Sequence, residues 1–204
     1  MKKIYMFLFT LFVVITVKTT IHAQNITYTV QAGDSLWKIA VKYQIGVSEI
    51  IDANKQLSNP NMIMPGQKIS VPNISDIKAI ENEVIRLVNI QRSNNGLSQL
   101  TGDWQLSRVA RYKSTDMRDK NYFSHYSPTY GDPFKMMHDF GVTFYAAGEN
   151  IAMGQQTPAA VMNAWMNSPG HRANILNPQY NEIGVGVAKT SDGTIYWTQE
   201  FIRK

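Results

Sequence analysis

The stretch "NSPGHRANIL", Asn167–Leu176, decides how the second half of this chain is read. It follows a helix-prone run ending at Trp165 and carries one of only four histidines. Ser168-Pro-Gly has the chemistry of a helix stop, because proline does not continue a helix and glycine tolerates the turn. Two readings of His171 stay open at this point. It locks the turn together with Arg172 by bonding exposed carbonyls, or it swings toward other polar residues and joins a site.

The surroundings of the stretch can be read outward from it. Thr157-Pro158 supplies an N-cap and a first-turn proline for the helix that leads into it. Asp132-Pro133 opens a shorter helix to Phe140-Gly141, with Met136 and Met137 as packing residues and His138 on a solvated face. A helix over Asp103–Lys120 carries Leu106, Val109, Ala110 and Met117 on one face, with Arg108, Arg111, Lys113 and Arg118 elsewhere. Ile77, Ile80, Val84, Leu87 and Val88 form an earlier helical stripe that stops near Asn95-Gly96. Downstream, Ile183–Ala188 and Thr194–Phe201 are strand-prone, with a hairpin turn at Ser191-Asp-Gly193. Trp104, Trp165 and Trp197 are expected in the core. Helices followed by antiparallel strands predict a layered α+β domain.

Residues 28–72 follow a different pattern. Tyr28-Thr-Val30 is β-prone, and Asp34 or Ser35 caps a short helix bearing Leu36, Ile39, Ala40 and Tyr43. A second helix fits Ser48–Asn54. Pro65-Gly66 turns the chain into a closing strand, Lys68–Val71. The order is β-α-α-β.

Bulk properties restrict the function. The 204 residues allow one or two domains. Met1-Lys-Lys, the apolar run Ile4–Val17 and the small residue Ala23 have the parts of a secretory signal peptide over 1–23. At 14 residues the run is shorter than the ~20 needed to span a bilayer. No stable membrane span is expected after cleavage. Loss of Lys2, Lys3 and Lys18 lowers the net charge from +5 to +2, leaving no basic block to suggest a nucleic-acid partner. The absence of cysteine excludes disulfides, zinc thiolates and cysteine nucleophiles, and fits bacterial export.

The first segment resembles the LysM module through Tyr28-Thr-Val30, Gly33-Asp-Ser-Leu-Trp-Lys-Ile-Ala40, Asn54 and Ile63-Met-Pro-Gly-Gln-Lys-Ile-Ser-Val-Pro72. The resemblance implies binding of peptidoglycan or a related N-acetylglucosamine glycan. It places the groove at Gly33, Asp34, Ser35 and Leu36, and at Pro60, Asn61, Met62 and Ile63. Residues 80–204 resemble the CAP domain, in its cysteine-free bacterial, YkwD-like, SCP-like branch. The matching blocks are Asn121-Tyr-Phe-Ser-His125, Ala147-Gly-Glu-Asn-Ile-Ala152, Trp165–Leu176, Glu182-Ile-Gly-Val-Gly186 and Tyr196-Trp-Thr-Gln199. This resemblance implies an α-β-α sandwich. The expected organisation is a signal peptide over 1–23, a LysM module over 24–72, a linker over 73–79 and a CAP domain over 80–204.

Many CAP relatives line a cavity with two His and two Glu. His125 and Glu149 match the first of each. The second Glu falls near Ser168, and the second His is replaced at Tyr196-Trp197. His171 is an extra histidine that can complete a different cluster with His125 and Glu149, with Glu182 as a further neighbour. Two imidazoles and a carboxylate can hold a divalent metal such as zinc, or act as a metal-free acid–base group. They can equally fix loops by hydrogen bonding alone.

Two functions are therefore expected. One is a secreted protein of the cell wall or spore envelope, bound to glycan by LysM, whose CAP cleft takes a protein or small-molecule ligand. The other is a wall-targeted hydrolase using His125, Glu149 and His171, with or without a metal. The catalytic assignment stays open between them.

Overall fold

A computed structural model describes residues 24–204. The expected signal peptide lies outside the described residues. Among those described, no helix is long and apolar enough to cross a membrane.

The N-terminal module pairs β1 (Ile26–Thr29) with β2 (Lys68–Val71), antiparallel, around α1 (Leu36–Tyr43) and α2 (Val47–Asp52). Ser35 is the cap of α1 and accepts a hydrogen bond from Lys38 N. Asp34 instead accepts from Gln31 N and the Tyr28 hydroxyl, closing the turn before the helix. Val30, Leu36, Ile39, Ala40, Ile45, Ile50, Ile69 and Val71 form the module's core. Asn54 is buried and uses its amide fully. It donates to the carbonyls of Ile50 and Ser70, and accepts from Ser70 N and Gln56 Nε2. That staples α2 to β2 and gives a physical reason for an asparagine at this position.

The rest of the chain is a three-layer sandwich. A sheet of order β3-β5-β6-β4 joins β3 (Thr101–Gly102), β4 (Ala146–Met153), β5 (Glu182–Lys189) and β6 (Ile195–Arg203). β3 runs parallel to β5, and the other neighbours are antiparallel. One face carries α3 (Ser75–Asn94), α6 (Pro158–Met166) and α7 (Pro169–Ile175). Val84, Val88, Val161, Trp165 and Ile175 from these helices pack against Ile183, Val185, Trp197 and Phe201. The other face carries α4 (Trp104–Asp119) and α5 (Pro133–Asp139), through Leu106, Val109, Met136 and Met137 against Ile202. Each fully buried apolar side chain of this size contributes about 1.5–3 kcal/mol.

Several elements depart from the expected pattern. "NSPGHRANIL" is a helix, α7, with Ser168 at the cap position and Pro169 in its first turn, so His171 sits within a helix rather than in a turn. β4 was not anticipated as a strand. α3 begins at Ser75, so most of the stretch expected to be a linker is helical. Lys113 and Arg111, read as lying off the apolar face of their helix, are buried. Trp165 and Trp197 are core residues, whereas Trp104 is only half-buried.

The two halves touch through named contacts. Arg111, which pairs with Glu81 at 2.8 Å inside the second half, donates across to the Gln44 carbonyl at 3.2 Å. Lys78 Nζ donates to the Tyr43 carbonyl at 2.8 Å, and the Tyr112 hydroxyl donates to Glu49. Burial raises the Glu81 carboxyl to about 7, against the pull of the Arg111 charge.

Candidate functional site

The site is built on α4, the loop that follows it, and the two strands β4 and β6. Asp116 on α4 shapes the loop. It accepts from the Tyr122, Ser127 and Thr129 hydroxyls at 2.7, 2.6 and 2.6 Å. Burial alone would raise the Asp116 carboxyl, but these three donors outweigh it and hold the group below its usual range. One turn earlier on α4, Lys113 Nζ donates to the His125 carbonyl at 2.6 Å. The loop is thus tied to α4 at both ends of the segment 125–129.

This places the His125 ring beside Glu149, in the middle of β4. His125 Nδ1 lies 2.6 Å from Glu149 Oε1. The imidazole side chain is 56% exposed, whereas the Glu149 side chain is 2% exposed. The pair therefore joins a solvent-facing base to a buried carboxylate. That carboxylate fixes the ring's tautomer and orientation, leaving Nε2 for an incoming group.

His171 is not joined to this pair by a hydrogen bond. Its carbonyl accepts from Asn150 Nδ2 at 3.1 Å, which fastens α7 to β4. Its side chain is half-buried. Burial, and then the neighbouring His125 charge, lower its imidazole below the usual value. The two rings are thus close enough to influence one another without forming one ligand set. Glu182 is elsewhere, near the C-terminal end of the chain, in an ion pair with Lys204 at 2.9 Å. Tyr196 and Trp197, standing where a second family histidine would be, are buried in the core. Among the described residues no group of three or more His, Asp or Glu side chains is arranged to hold a metal ion. The one side chain hydrogen-bonded to the His125 ring among the described residues is Glu149.

The geometry adds two residues that the sequence reading missed. Glu200 on β6 stands opposite Glu149 in the β4–β6 register and is completely buried. Lys113, also fully buried, faces both carboxyls. A signal for Lys113 was present, because it continues the Leu106, Ala110, Met117 stripe at helical spacing. Glu200 carried a weaker one, a charge inside a strand-prone run.

The predicted glycan residues lie on two loops of the N-terminal module. Gly33, Ser35, Asn61 and Met62 are exposed, while Asp34, Pro60 and Ile63 are half-buried. The Leu36 side chain packs in the module's core, so a contact from Leu36 would come from its backbone. Trp37, half exposed, and Met64 present further apolar surface beside these residues in sequence. A separate cavity of about 570 Å³ opens between the two halves, lined by Ile45, Ile74, Ile77, Tyr112, Val187 and Ile195. None of the predicted site residues lines it.

Fold and site together define an α-β-α sandwich that carries a His–Glu pair, preceded by a small βααβ module. A match to the Cysteine-rich secretory protein family, or CAP, covers residues 85–201, and a match to the LysM domain covers residues 28–72. The chain belongs to the CAP family and is a bacterial-type LysM–CAP protein. It is 55% identical over 130 residues to "Uncharacterized protein YkwD" of Bacillus subtilis (strain 168), covering 64% of this chain and 49% of that one. A crystal structure of an extracellular protein containing a SCP domain, from Bacillus anthracis str. Ames, is 42% identical with a TM-score of 0.57. That match covers 69% of this chain and 47% of the other. The LysM part is 62% identical over 45 residues to "SpoIVD-associated factor A" of Bacillus subtilis (strain 168), covering 22% of this chain and 12% of that protein. The chain spans about half the length, or less, of these relatives.

Proposed function

We propose that this is a secreted protein of the cell wall or spore envelope. Its LysM module, taken as residues 24–72, holds peptidoglycan or a related N-acetylglucosamine glycan. Its CAP domain, taken as residues 80–204, presents the His125–Glu149 cleft to a protein or small-molecule ligand. The observation that carries the reading is the freedom of the groove. The residues Gly33–Leu36 and Pro60–Ile63 make hydrogen bonds only within their own module, while the contact with the other half uses Tyr43, Gln44 and Glu49. The exposed apolar side chains Trp37 and Met62, at 50% and 67% exposure, suit the N-acetyl groups and sugar faces of such a glycan. The description of the Bacillus anthracis relative as extracellular supports the location.

The test is retention on purified, insoluble peptidoglycan. The full chain is expected to bind weakly and reversibly, as a single module should. The Asn61→Ala, Met62→Asp double variant is expected to lose binding by about tenfold, equivalent to ~1.4 kcal/mol. Undiminished retention of that variant would remove the groove from these loops.

A second reading is favoured by one observation, the 2.6 Å contact between a half-exposed imidazole and a buried carboxylate. This is the base-and-orienter part of a hydrolytic site, with water as the nucleophile and His171 as a nearby third member. With peptidoglycan fragments as substrate, His125→Ala is expected to lower turnover by about 10²-fold or more. Equal turnover by the variant and the parent chain would leave ligand binding as the role of the cleft.

A further inference from the structure

Two carboxyl groups face one another across β4 and β6, with no donor between them among the described residues. Glu149 and Glu200 are direct register partners, as are their neighbours Asn150 with Gln199 and Gly148 with Phe201. Strand alternation puts both carboxyls on the sheet face covered by α4, the face shared by Ile151, Thr198 and Ile202. Glu200 is fully buried and Glu149 nearly so. Glu149 Oε1 meets His125, but Glu149 Oε2 and both Glu200 oxygens have no hydrogen-bond donor among the described residues. Gly184 is the register partner of Glu200 on its other side, and it brings no side chain that could donate.

The charged groups around the pair are Lys113, Asp116 and His125. Lys113 is the buried cation facing both glutamates, and its amine already donates to the His125 carbonyl. Three ionised carboxylates around one buried ammonium would leave excess negative charge in a poorly solvated place, which folded proteins avoid by neutralising a group. Asp116 has three hydroxyl donors and is well stabilised as an anion. Glu149 has His125. Glu200 has neither.

We propose that Glu200 is a positioning residue of the cleft, holding a proton that it donates in a hydrogen bond to Glu149, so that Glu149 stays anionic and keeps its other oxygen on His125. One proton then engages two of the three orphaned oxygens, one on each carboxyl, and the buried charge falls to a level that Lys113 offsets. Burial, followed by the neighbouring Glu149 charge, pushes the Glu200 carboxyl well above its usual range, in keeping with the geometry. The device extends the His125–Glu149 pair into a chain of three side chains: surface imidazole, buried carboxylate, buried acid. It rests on reading His125 and Glu149 as the working pair of the cleft, but its test needs neither substrate nor ligand.

The full chain is used throughout. In wild-type protein labelled with carbon-13 at glutamate carboxyls, the Glu200 resonance is expected to keep the shift of a neutral acid at neutral pH, well above the ordinary glutamate range. The nitrogen-15 resonance of His125 Nδ1 then reports its contact with Glu149. Glu200→Gln replaces a neutral donor with a neutral donor, so this resonance is expected to stay near its wild-type position. Glu149→Gln removes the anion and is expected to shift it clearly. An ionised Glu200 resonance near neutral pH would overturn the proposal, and so would a Glu200→Gln shift as large as that of Glu149→Gln. The wild-type carboxyl measurement stands if a variant fails to fold. Loss of glycan retention or turnover in other experiments would leave these resonances unchanged, so the two readings fail separately.

Discussion

Replacing Gly186 by alanine is expected to destabilise the CAP domain by about 3 kcal/mol or more, a large fraction of a domain's whole stability. A Cβ at this position would lie 2.0 Å from the Arg111 nitrogen and 2.1 Å from the Ala110 carbonyl carbon. These are backbone atoms of α4, which cannot rotate away as a side chain would. Gly184 is in the same position, with Leu106 and Ser107 backbone at 2.3 Å. The two glycines of Glu182-Ile-Gly-Val-Gly186 therefore let a helix lie directly on β5. Ser114 confirms the closeness, donating to the Gly186 carbonyl at 3.0 Å. Gly170 is the control. It lies within α7 with nothing near its missing Cβ, so Gly170→Ala is expected to add about 0.5–1 kcal/mol. Urea unfolding of the three proteins measures both effects. A Gly186→Ala midpoint close to the parent's would mean that α4 does not lie on β5 as described.

The second large effect is expected at Arg92. Its buried guanidinium donates to the carbonyls of Ser98, Ile175, Asn177 and Tyr180, at 2.8, 2.9, 2.8 and 3.4 Å. One side chain thus terminates α7 and holds the turn that follows it. Arg92→Met keeps the apolar bulk but leaves buried carbonyls without donors, each worth about 1–3 kcal/mol, so a total loss of about 3–4 kcal/mol is expected. Arg92→Lys should rescue little, since a point cation does not reproduce the planar fork. Chemical denaturation gives the size of the loss. Amide hydrogen exchange locates it, with faster exchange expected from α7 to β5. A loss under about 1 kcal/mol would show that the carbonyls find water instead.

Much of the fold was legible in the sequence, for local reasons. The caps at Asp103, Asp132 and Thr157 each accept the backbone N–H bonds expected of them. The closing strand of the LysM module runs over Lys68–Val71 as read from the Pro65-Gly66 turn. Other features were not legible from local pattern. β4 reads Ala-Ala-Gly-Glu-Asn-Ile-Ala-Met, which has no clean period-two alternation because both of its faces are covered. α7 was hidden behind Pro169-Gly170, residues that read as a stop but sit in the first turn of a new helix. Lys113 was left off the apolar face by residue type, although its helical spacing put it there.

The site divides along the same line. His125 and Glu149 were identifiable from family blocks, and tertiary structure alone brings them together across 24 residues of chain. For His171 two readings stood open, facing this pair or locking its turn. The helix it belongs to is held by Asn150 and Asn174 bonding across β4, and this leaves His171 beside the pair without a bond to it. Glu200 became part of the site only through strand register.

Sequence by itself determined most of the helices, the closing hairpin and which two families the segments resemble, because caps, periodicity and motif blocks act between near neighbours. Only the tertiary structure decided which polar groups share a desolvated space. That depends on where α4 crosses the sheet and how β4 registers on β6, contacts set by packing between segments far apart in the chain.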